Sequence, residues 1–309
     1  MRIAVMGAGG IGGCLGGLLA RSGNQVTLIA RGDHLEAIRS HGLRLNRKAG
    51  DFTVDVEATA NPEEVGPVDL VLFTVKTYHN KHAIPAMRPM VRDATVILTL
   101  QNGVESADEL GQEYGAERVL PGAAYISAHI EAPGVITQGS PSARIAFGEA
   151  DGQESPRARR IAQEFAQAGI QADFVRDVTK VIWSKFLFNA PGNGITSAAR
   201  TPIRRLMQIP ESNDLFLGAM QEAETVARAR GADLDSDVVD QAIRFIESVP
   251  MDTLGSMQTD LYAGRPLELE ALVGAVVRMG EMLAVTTPIH RFMYSVLLNH
   301  RYCRKREGS

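Results

Sequence analysis

The stretch RIAVMGAGGIG at residues 2–12 decides the fold of the first half of the chain. Its leading residues suit a buried strand, and the pattern G-x-G-x-x-G then opens a predicted helix from about Gly10 to Ser22. A second apolar strand, Gln25–Ile29, follows this helix at once. Strand, glycine turn, helix and strand in this order predict a βαβ unit that binds a dinucleotide. A glycine-rich turn in an ordinary α/β fold is the alternative.

The spaced glycines of the pattern have separate tasks in such a turn. Gly7 permits the tight turn itself, and Gly9 lets a pyrophosphate approach the backbone. Gly12 allows the helix to pack closely on the strand. The sequence therefore predicts a phosphate site at this turn, at the N-terminus of the helix.

Further apolar runs continue the α/β pattern. Residues 69–75 and 95–100 read as strands that are buried on both faces, which is typical of a parallel sheet. Residues 124–147 instead contain short alternating segments with turn signals, so we expect an antiparallel extension at the sheet edge.

Nearly everything beyond residue 176 reads as helix. Alternating strands and helices followed by a run of helices predict an N-terminal Rossmann-like dinucleotide-binding domain with a C-terminal all-helical domain. We place the boundary near Val175, which gives domains of residues 1–175 and 176–309. The predicted helices cover residues 178–190, 211–230, 235–248, 266–284 and 288–301.

Charge and composition argue against several classes of protein. A formal net charge of −4 gives no reason to expect a nucleic-acid partner, and the basic run Arg301–Arg306 reads as a solvated tail. No apolar run is long enough to span a membrane. Cys14 and Cys303 fit free thiols in a reducing cytosol, so we expect a cytoplasmic protein. His79 and His82 have no nearby carboxylate, so no metal site is predicted. A homodimer is compatible with the sequence.

The end of the second strand distinguishes between the two nicotinamide cofactors. An NAD site usually carries an acid there for the ribose 2′-hydroxyl, whereas an arginine suits a 2′-phosphate. This chain has Arg31 at that place. Asp33 is close enough to compete, but its spacing to Glu36 resembles a capping box at the start of the next helix. We therefore interpret Asp33 as a cap and predict NADP(H).

Two later loops follow predicted strands of the parallel sheet, where ligands bind. One contains Lys76 and the other contains Asn102 and Gly103. A solvated charge is the alternative for Lys76. A hairpin turn is the alternative for Asn102-Gly103, but residues 105–114 read as helix and not as strand.

Lys185 is the strongest candidate for chemistry. It lies in the apolar run VIWSKFLFN, and Asn189 and Asn193 follow at intervals of four residues. Carbonyl reduction needs a hydride at carbon and a proton at oxygen, and an amine with its pKa lowered by desolvation could provide that proton. A lysine whose stem covers apolar surface is the alternative. Asn189 could be a satisfied core amide, and Asn193 a turn residue.

Two residues near the end of the chain add to this set. Ser256 opens the segment Ser256-Met257-Gln258, and Glu268 follows Pro266 by two residues. Taken separately, the first could be a helix N-cap and the second a first-turn acid. Their joint occurrence in this order after Lys185 favours an active site.

The whole chain resembles the ketopantoate reductases (2-dehydropantoate 2-reductases). The matching elements are G-x-G-x-x-G with Arg31, V-K-T at Lys76, Q-N-G at Asn102, W-x-K-x-x-x-N at Lys185, S-M-x-x-D at Ser256 and G-R-P-x-E at Glu268.

The resemblance implies roles for individual residues. Lys185 would be the proton donor, and Asn189, Asn193 and Ser256 would bind substrate. The backbone around Ala128 would lie beside the nicotinamide half of the cofactor, and the charge of Glu268 would help set the protonation state of the lysine. The implied cofactor contacts are Gly7, Ala8, Gly9, Gly10, Ile11, Gly12, Arg31, Lys76, Asn102, Ala128 and Glu268.

The chain departs from the family pattern at the substrate end. Residues 190–194 read Ala-Pro-Gly-Asn-Gly, which is richer in helix breakers than the family's usual apolar residues. Ile203 and Val273 stand near positions where members carry asparagine. Loss of amides removes hydrogen-bond selection for a small polar substrate, so the identity of the keto acid stays open.

The leading hypothesis is an NADPH-dependent reductase of a small 2-keto acid, with 2-dehydropantoate giving pantoate for pantothenate and coenzyme A synthesis. A reductase of another 2-keto or hydroxy acid on the same scaffold is a second hypothesis. Enzymes of the β-hydroxyacid type have a glycine-rich stretch before their lysine, which residues 174–184 lack. A non-catalytic NADP(H)-sensing module is a third hypothesis.

Overall fold

The predicted βαβ unit is present in the computed structural model, which describes residues 1–300. It consists of strand β1 (Arg2–Met6), helix α1 (Gly10–Arg21) and strand β2 (Gln25–Ile29). The two strands are parallel and pair residue by residue over their whole length.

The described chain forms two units. The first consists of residues 1–101 and 105–178, and the second of residues 102–104 together with the chain from Thr179 onward. The second unit is therefore not continuous in sequence, because it includes a three-residue segment that precedes the rest of it by more than seventy residues.

The first unit contains a mixed α/β arrangement around a long sheet. Its further strands are β3 (Leu43–Arg47), β4 (Phe52–Val54), β5 (Glu57–Thr59), β6 (Leu70–Phe73), β7 (Val96–Thr99), β8 (Val119–Tyr125), β9 (Ala128–Ala132), β10 (Val135–Gln138), β11 (Arg144–Phe147) and β12 (Gln171–Phe174). Its further helices are α2 (Gly32–His41), α3 (Asn80–Ala86), α4 (Ser106–Tyr114) and α5 (Pro156–Gln167).

The long sheet has the strand order β12-β11-β8-β7-β6-β1-β2-β5. The six strands from β8 to β5 in this order are parallel, whereas β11 pairs antiparallel with β8 and β12 pairs parallel with β11, so these last two strands run in the opposite direction. The predicted antiparallel extension is therefore confirmed for β11. Both β6 and β7 are fully buried, as their unbroken apolar sequences indicate.

A second, smaller sheet with the order β4-β3-β10-β9 was not expected from the sequence. Strands β9 and β10 belong to this small sheet and not to the edge of the long sheet, where the sequence predicts them. Helix α1 explains this arrangement, because glycines make room on two of its faces. A Cβ on Gly16 would lie 2.6 Å from Leu28 of the long sheet, and one on Gly17 would lie 2.6 Å from Leu45 of the small sheet. The helix is therefore packed between two sheets.

The second unit is helical in its described part. Its main helix, α6 (Val178–Ala199), continues well past the predicted end at residue 190. Pro191 lies inside it, although proline lacks the N–H group that a helix interior uses. Burial of Ala190 and Ile195 at 0% and 4% exposure stabilises the helical path despite this loss. The other helices are α7 (Ile203–Leu206), α8 (Pro210–Ala229), α9 (Val238–Ser248), α10 (Ser256–Tyr262), α11 (Val273–Met282) and α12 (Pro288–Leu297).

The helix predicted over residues 266–284 begins only at Val273. Leu267, Leu269 and Leu272 are buried in the preceding turns. Their apolar spacing resembles a helix face, but it arises here from an irregular segment that packs into the core of the second unit.

Cys14 is buried in α1 as a free thiol, and burial raises its pKa to about 11. The predicted tail Arg301–Arg306 and Cys303 lie outside the described residues. Within residues 1–300, no helix combines the length and apolar character that a membrane span requires.

Candidate functional site

The glycine turn between β1 and α1 leaves space beside its backbone. Gly9 is the N-cap residue of α1, and a Cβ built on it would meet no heavy atom within 4 Å. Within the described part of the chain, no side chain caps this end of the helix, and its first turn has no acid. The first N–H groups of α1 are therefore left for a ligand, and a phosphate is the group that such a helix end binds best.

The other glycines of the turn are held tightly. A Cβ on Gly12 would lie 2.1 Å from the carbonyl oxygen of Gly7 and 2.4 Å from Oγ1 of Thr74. Gly7 has a φ of +107°, a conformation that favours glycine, and the Thr74 hydroxyl donates to its carbonyl at 2.9 Å. A Cβ on Gly10 would lie 2.1 Å from the carbonyl oxygen of Ala128 at the start of β9. The structure thus brings the predicted residues Gly7 to Gly12 and Ala128 together.

His34 in α2 has no predicted role, yet it joins the glycine turn to the small sheet. Its Nε2 lies 3.0 Å from the carbonyl oxygen of Ala8, and the Gly134 N–H donates to its Nδ1 at 2.9 Å. These partners require a neutral ring with its proton on Nε2. Burial lowers the pKa of His34, which favours the same form. No sequence pattern marks this residue, because both of its partners are backbone groups from other elements.

The prediction that Asp33 caps α2 is wrong. The helix begins at Gly32, so Arg31 is its N-cap residue, and the Leu35 N–H already donates to the Arg31 carbonyl. Asp33 lies in the first turn, where its charge suits the helix dipole.

Basic side chains gather at the ends of β2 and β6. Arg31 follows β2 and is exposed. The pKa of His79 is lowered mainly by burial and also by the positive charge of Arg31, so the two side chains are near each other. His79 and Lys76 belong to the loop after β6. Gln101 holds this loop, because its Nε2 donates to the Val75 carbonyl at 2.6 Å. Arg31 and Lys76 therefore lie at the sheet ends where the sequence predicts a dinucleotide site.

Lys185 in α6 is partly buried, and its Nζ donates a hydrogen bond of 3.1 Å to Oδ1 of Asn102. Burial lowers the pKa of Lys185 to about 8, and the negative charge of Glu268 opposes this shift. Glu268 is itself 5% exposed. A snorkelling lysine would extend its amine into water, whereas this amine is held inside the second unit. With such a pKa it carries a proton near neutral pH and releases it readily.

A chain of hydrogen bonds fixes the polarity of two amides near Lys185. The Met257 N–H donates to Oδ1 of Asn193 at 2.9 Å, so the opposite atom of that amide must be the Nδ2 donor. This Nδ2 donates to Oδ1 of Asn189 at 2.7 Å. Asn189 must then turn its own Nδ2 away from Asn193. Among residues 1–300 this Nδ2 has no hydrogen-bond partner, so it is available to an oxygen of a ligand.

For three residues the structure does not support the purely structural roles that were the alternatives: a turn residue, a helix N-cap and a first-turn acid. Asn193 is buried inside helix α6 and is not a turn residue. Ser256 is the first residue of α10, whose N-cap is Gly255, and its hydroxyl lies 3.4 Å from Oδ1 of Asn193. Glu268 precedes α11 by several residues and is not a first-turn acid.

The departures at residues 194 and 273 belong to the core. Val273 is fully buried, and a Cβ on Gly194 would lie 2.9 Å from its Cγ2 and 2.9 Å from Sδ of Met293. Val273 therefore fills the space that Gly194 leaves in the core of the second unit. Ile203 is partly buried at the start of α7.

The predicted site residues fall into two groups. In the first unit, Gly7 to Gly12, Arg31, Lys76 and Ala128 surround the end of the long sheet. The second group lies in the second unit. It consists of Lys185, Asn189 and Asn193 on α6 and of Ser256 at the start of α10, which contacts Asn193, with Glu268 near the lysine. Asn102 belongs to this second group through its bond to Lys185.

Comparisons with known proteins give a consistent result. Family models described as ketopantoate reductase PanE/ApbA and its C-terminal part match residues 3–152 and 177–300. A 2-dehydropantoate 2-reductase of Mesorhizobium japonicum is 31% identical, with 93% of this chain and 94% of the relative covered. A crystal structure of 2-dehydropantoate 2-reductase from Geobacter metallireducens is 33% identical, covers 97% of this chain and 99% of its own, and has a TM-score of 0.90. D-mandelate dehydrogenase, solved with NADH and anilino(oxo)acetate, shares the fold at 23% identity, 97% and 98% coverage and a TM-score of 0.90.

Proposed function

Because this chain belongs to the ketopantoate reductase family of oxidoreductases, we propose that it reduces a 2-keto acid with NADPH, and that 2-dehydropantoate is the substrate. The observation that carries the proposal is the partly buried Lys185, whose pKa is lowered to about 8 and whose amine is bound to Asn102. Such an amine is suited to protonate an alkoxide.

The protein's part in the reaction is a proton transfer. NADPH, when bound, supplies a hydride to the carbonyl carbon of the keto acid. As negative charge develops on the carbonyl oxygen, Nζ of Lys185 donates its proton to that oxygen, so the carbonyl becomes a hydroxyl. The charge of the ammonium group also stabilises the developing alkoxide. Glu268 keeps the lysine protonated, because its negative charge opposes the effect of burial.

The substrate is held by polar groups that surround the lysine. We assign the free Nδ2 of Asn189 to an oxygen of the keto acid, and Ser256 to the carboxylate. Ser256 lies in the first turn of α10, whose backbone N–H groups could also bind an anion. That helix has only seven residues, so we assign the carboxylate to the Ser256 hydroxyl and not to the helix N-terminus. Asn193 has protein partners at both ends of its amide, so its task is to orient Asn189 and the start of α10.

Replacement of Asn193 by aspartate tests this assignment. The carboxylate still accepts from the Met257 N–H, but it has no donor for Asn189, so the Asn189 amide must turn over and present its oxygen outward. We expect KM for the keto acid to rise about 10-fold to 100-fold, which corresponds to one lost hydrogen bond to a charged or polarised group. Steady-state kinetics check this, with Asn189→Asp as the matched variant and thermal unfolding as the test of folding. An unchanged KM in both variants would contradict the role of Asn189.

The preference for NADPH is proposed from Arg31. An exposed guanidinium at the end of β2, next to the glycine turn, suits a 2′-phosphate. Replacement of Arg31 by alanine should raise KM for NADPH about 10-fold to 100-fold, because a charge-assisted hydrogen bond is lost, and should leave KM for NADH nearly unchanged. Lys81→Ala is the matched control, since Lys81 is an exposed cation on α3. An equal rise of KM for NADPH and for NADH in Arg31→Ala would contradict the assignment of Arg31 to the 2′-phosphate.

The first experiment follows NADPH oxidation with 2-dehydropantoate and with a panel of other 2-keto acids. Preferential turnover of 2-dehydropantoate supports the proposal. Turnover of another keto acid alone keeps the role of Lys185 and changes the substrate. Tight NADPH binding without oxidation by any keto acid would favour a sensing module over an enzyme.

A further inference from the structure

The first turn of helix α10 is bound to α6 through one of the amides of the candidate site. The N-cap residue of α10, Gly255, has no side chain that could cap the helix, and the Met257 N–H donates to Oδ1 of Asn193 instead. A Cβ on Gly255 would lie 2.9 Å from this oxygen, so the glycine leaves room for the amide. Asn193 therefore caps α10 and, with the other end of the same amide, orients Asn189.

The last residue of α10 is bound to α6 as well. The hydroxyl of Tyr262 donates to the carbonyl oxygen of Arg200 at 2.7 Å. Because the hydroxyl has only one proton, its oxygen accepts from Nε2 of Gln258, at 3.2 Å. A chain of hydrogen bonds with one direction thus leads from Gln258 through Tyr262 to the end of α6.

The carbonyl group that Tyr262 binds belongs to a well-defined turn. Arg200 directly follows α6 and has a φ of +53°, a left-handed conformation in which glycine is usual. The Thr201 N–H donates back to the Thr196 carbonyl at 3.3 Å, as is typical of a helix that ends in this way. A residue other than glycine persists in this conformation only where its surroundings determine the backbone. Tyr262 therefore binds α6 at a fixed point and not at a frayed end.

Apolar packing does not by itself set the orientation of α10. Met257 and Leu261 are buried in the core of the second unit. Such contacts stabilise the helix but are non-directional, whereas a hydrogen bond requires a distance and an angle. The bonds to Asn193 and to Arg200 lie at opposite ends of a seven-residue helix, so together they fix its position and its tilt on α6.

We propose that Tyr262 and Gln258 are positioning residues for the substrate-binding amide of Asn189. By holding the end of α10 on α6, they keep the first turn of α10 on Asn193, and Asn193 in turn directs Nδ2 of Asn189 toward the keto acid. This inference rests on the proposed function, because it takes Asn189 as a substrate-binding residue. Neither Tyr262 nor Gln258 has to touch the substrate.

Replacement of Tyr262 by phenylalanine removes the bond to α6 and keeps the ring. Tyr262 is 48% exposed, so the fold should persist. We expect KM for 2-dehydropantoate to rise about 3-fold to 10-fold, because the Asn189 amide is no longer held in one orientation. The value of kcat should stay nearly unchanged, since Lys185 is held by Asn102 and not by α10. The decline of kcat above about pH 8 that follows from the lowered pKa of Lys185 should persist as well.

Replacement of Gln258 by methionine should separate KM from stability. Gln258 is fully buried, and among residues 1–300 its Oε1 has no hydrogen-bond partner. Methionine has a similar length and removes this unpaired acceptor, so the midpoint of thermal unfolding should stay the same or rise. KM for 2-dehydropantoate should nevertheless rise about 2-fold to 5-fold, less than in Tyr262→Phe, because Tyr262 still donates to Arg200. If Gln258 had only a structural role, KM would change only when stability fell.

Tyr114→Phe is the matched control. The Tyr114 hydroxyl also donates to a backbone carbonyl, that of Ile84, but it does so in the first unit. The same substitution there removes the same kind of hydrogen bond and should leave KM for 2-dehydropantoate unchanged.

A double variant tests the route from Tyr262 to the substrate. Asn193→Asp already turns the Asn189 amide over, so the orientation that Tyr262 protects is lost in that background. Addition of Tyr262→Phe to Asn193→Asp should therefore raise KM by less than about 2-fold, whereas two independent effects would multiply.

The outcomes separate this inference from the proposed function. A rise of KM at constant kcat in Tyr262→Phe that disappears in the Asn193→Asp background supports the inference. Wild-type KM in Tyr262→Phe, or the same factor in both backgrounds, overturns it and leaves the proposed function standing. Loss of kcat and of stability together with the rise of KM also overturns it. Absence of turnover with every keto acid in the wild type overturns the proposed function, and this inference with it.

Discussion

Replacement of Lys185 by methionine will lower kcat by about 10²-fold to 10⁴-fold, the range that a positioned general acid contributes. Methionine has a similar length and is apolar, so it suits the partly buried position and should not unfold the protein. The NADPH dissociation constant, measured by fluorescence titration, should change less than 3-fold, because the proposed task of the lysine is proton transfer. Near-normal turnover in the variant would refute the role of Lys185.

The wild type provides an independent test of the same role. Because the pKa of Lys185 is lowered to about 8, the ammonium form that donates the proton is lost as the pH rises through that value. We expect kcat in the direction of reduction to fall above pH 8. In Lys185→Met this descending limb should vanish from the residual activity. Lys180→Met is the matched control: Lys180 lies on the same helix but forms an ion pair of 2.6 Å with Asp235, and its variant should keep both turnover and pH profile.

The second large effect is a contrast between two glycines of one turn. Gly9→Ala should fold with wild-type stability, because the new Cβ meets no protein atom and the backbone there has an ordinary φ of −72°. Its affinity for NADPH should nevertheless fall at least about 100-fold, since the methyl group occupies the space that a pyrophosphate needs.

Gly12→Ala should lower the stability of the fold, whereas Gly9→Ala should lower only the affinity for NADPH. A Cβ on Gly12 would lie 2.1 Å from the Gly7 carbonyl oxygen, so the turn must shift, at a cost of about 1–3 kcal/mol or more in the free energy of unfolding. Thermal unfolding and NADPH titration of both variants distinguish the two effects. A Gly9→Ala protein that binds NADPH normally would contradict a phosphate site at this turn.

The first βαβ unit could be predicted from the sequence because each of its signals is local: an apolar run, a glycine pattern and a second apolar run. The small sheet could not, because its strands β3 and β10 come from distant segments and pair only after α1 lies between the sheets. The glycines of α1 outside the G-x-G-x-x-G pattern are the one trace of this layer in the sequence. The meaning of Gly17 depends on Leu45 of β3, which no local pattern connects to it.

The candidate site shows the same limit. The interval of four residues among Lys185, Asn189 and Asn193 is a helical signal, and it was sufficient to place them on one helix. The proline and glycines after Asn189 predicted an early helix end, but tertiary packing overrides those local preferences. The orientation of the Asn189 amide depends on a backbone N–H from α10, and the link of His34 depends on two backbone groups. Such contacts leave no pattern in a single sequence.

The segment of residues 102–104 has a consequence for protein engineering. Lys185 takes its hydrogen-bond partner from a residue that lies 83 positions earlier in the chain. A chimera that joins the first half of one relative to the helical half of another would therefore pair each lysine with a foreign Asn102 loop. A fragment that begins after residue 178 would lack that partner altogether. Recombination within this fold should exchange residues 102–104 together with the helical half, so that the lysine keeps its own hydrogen-bond partner.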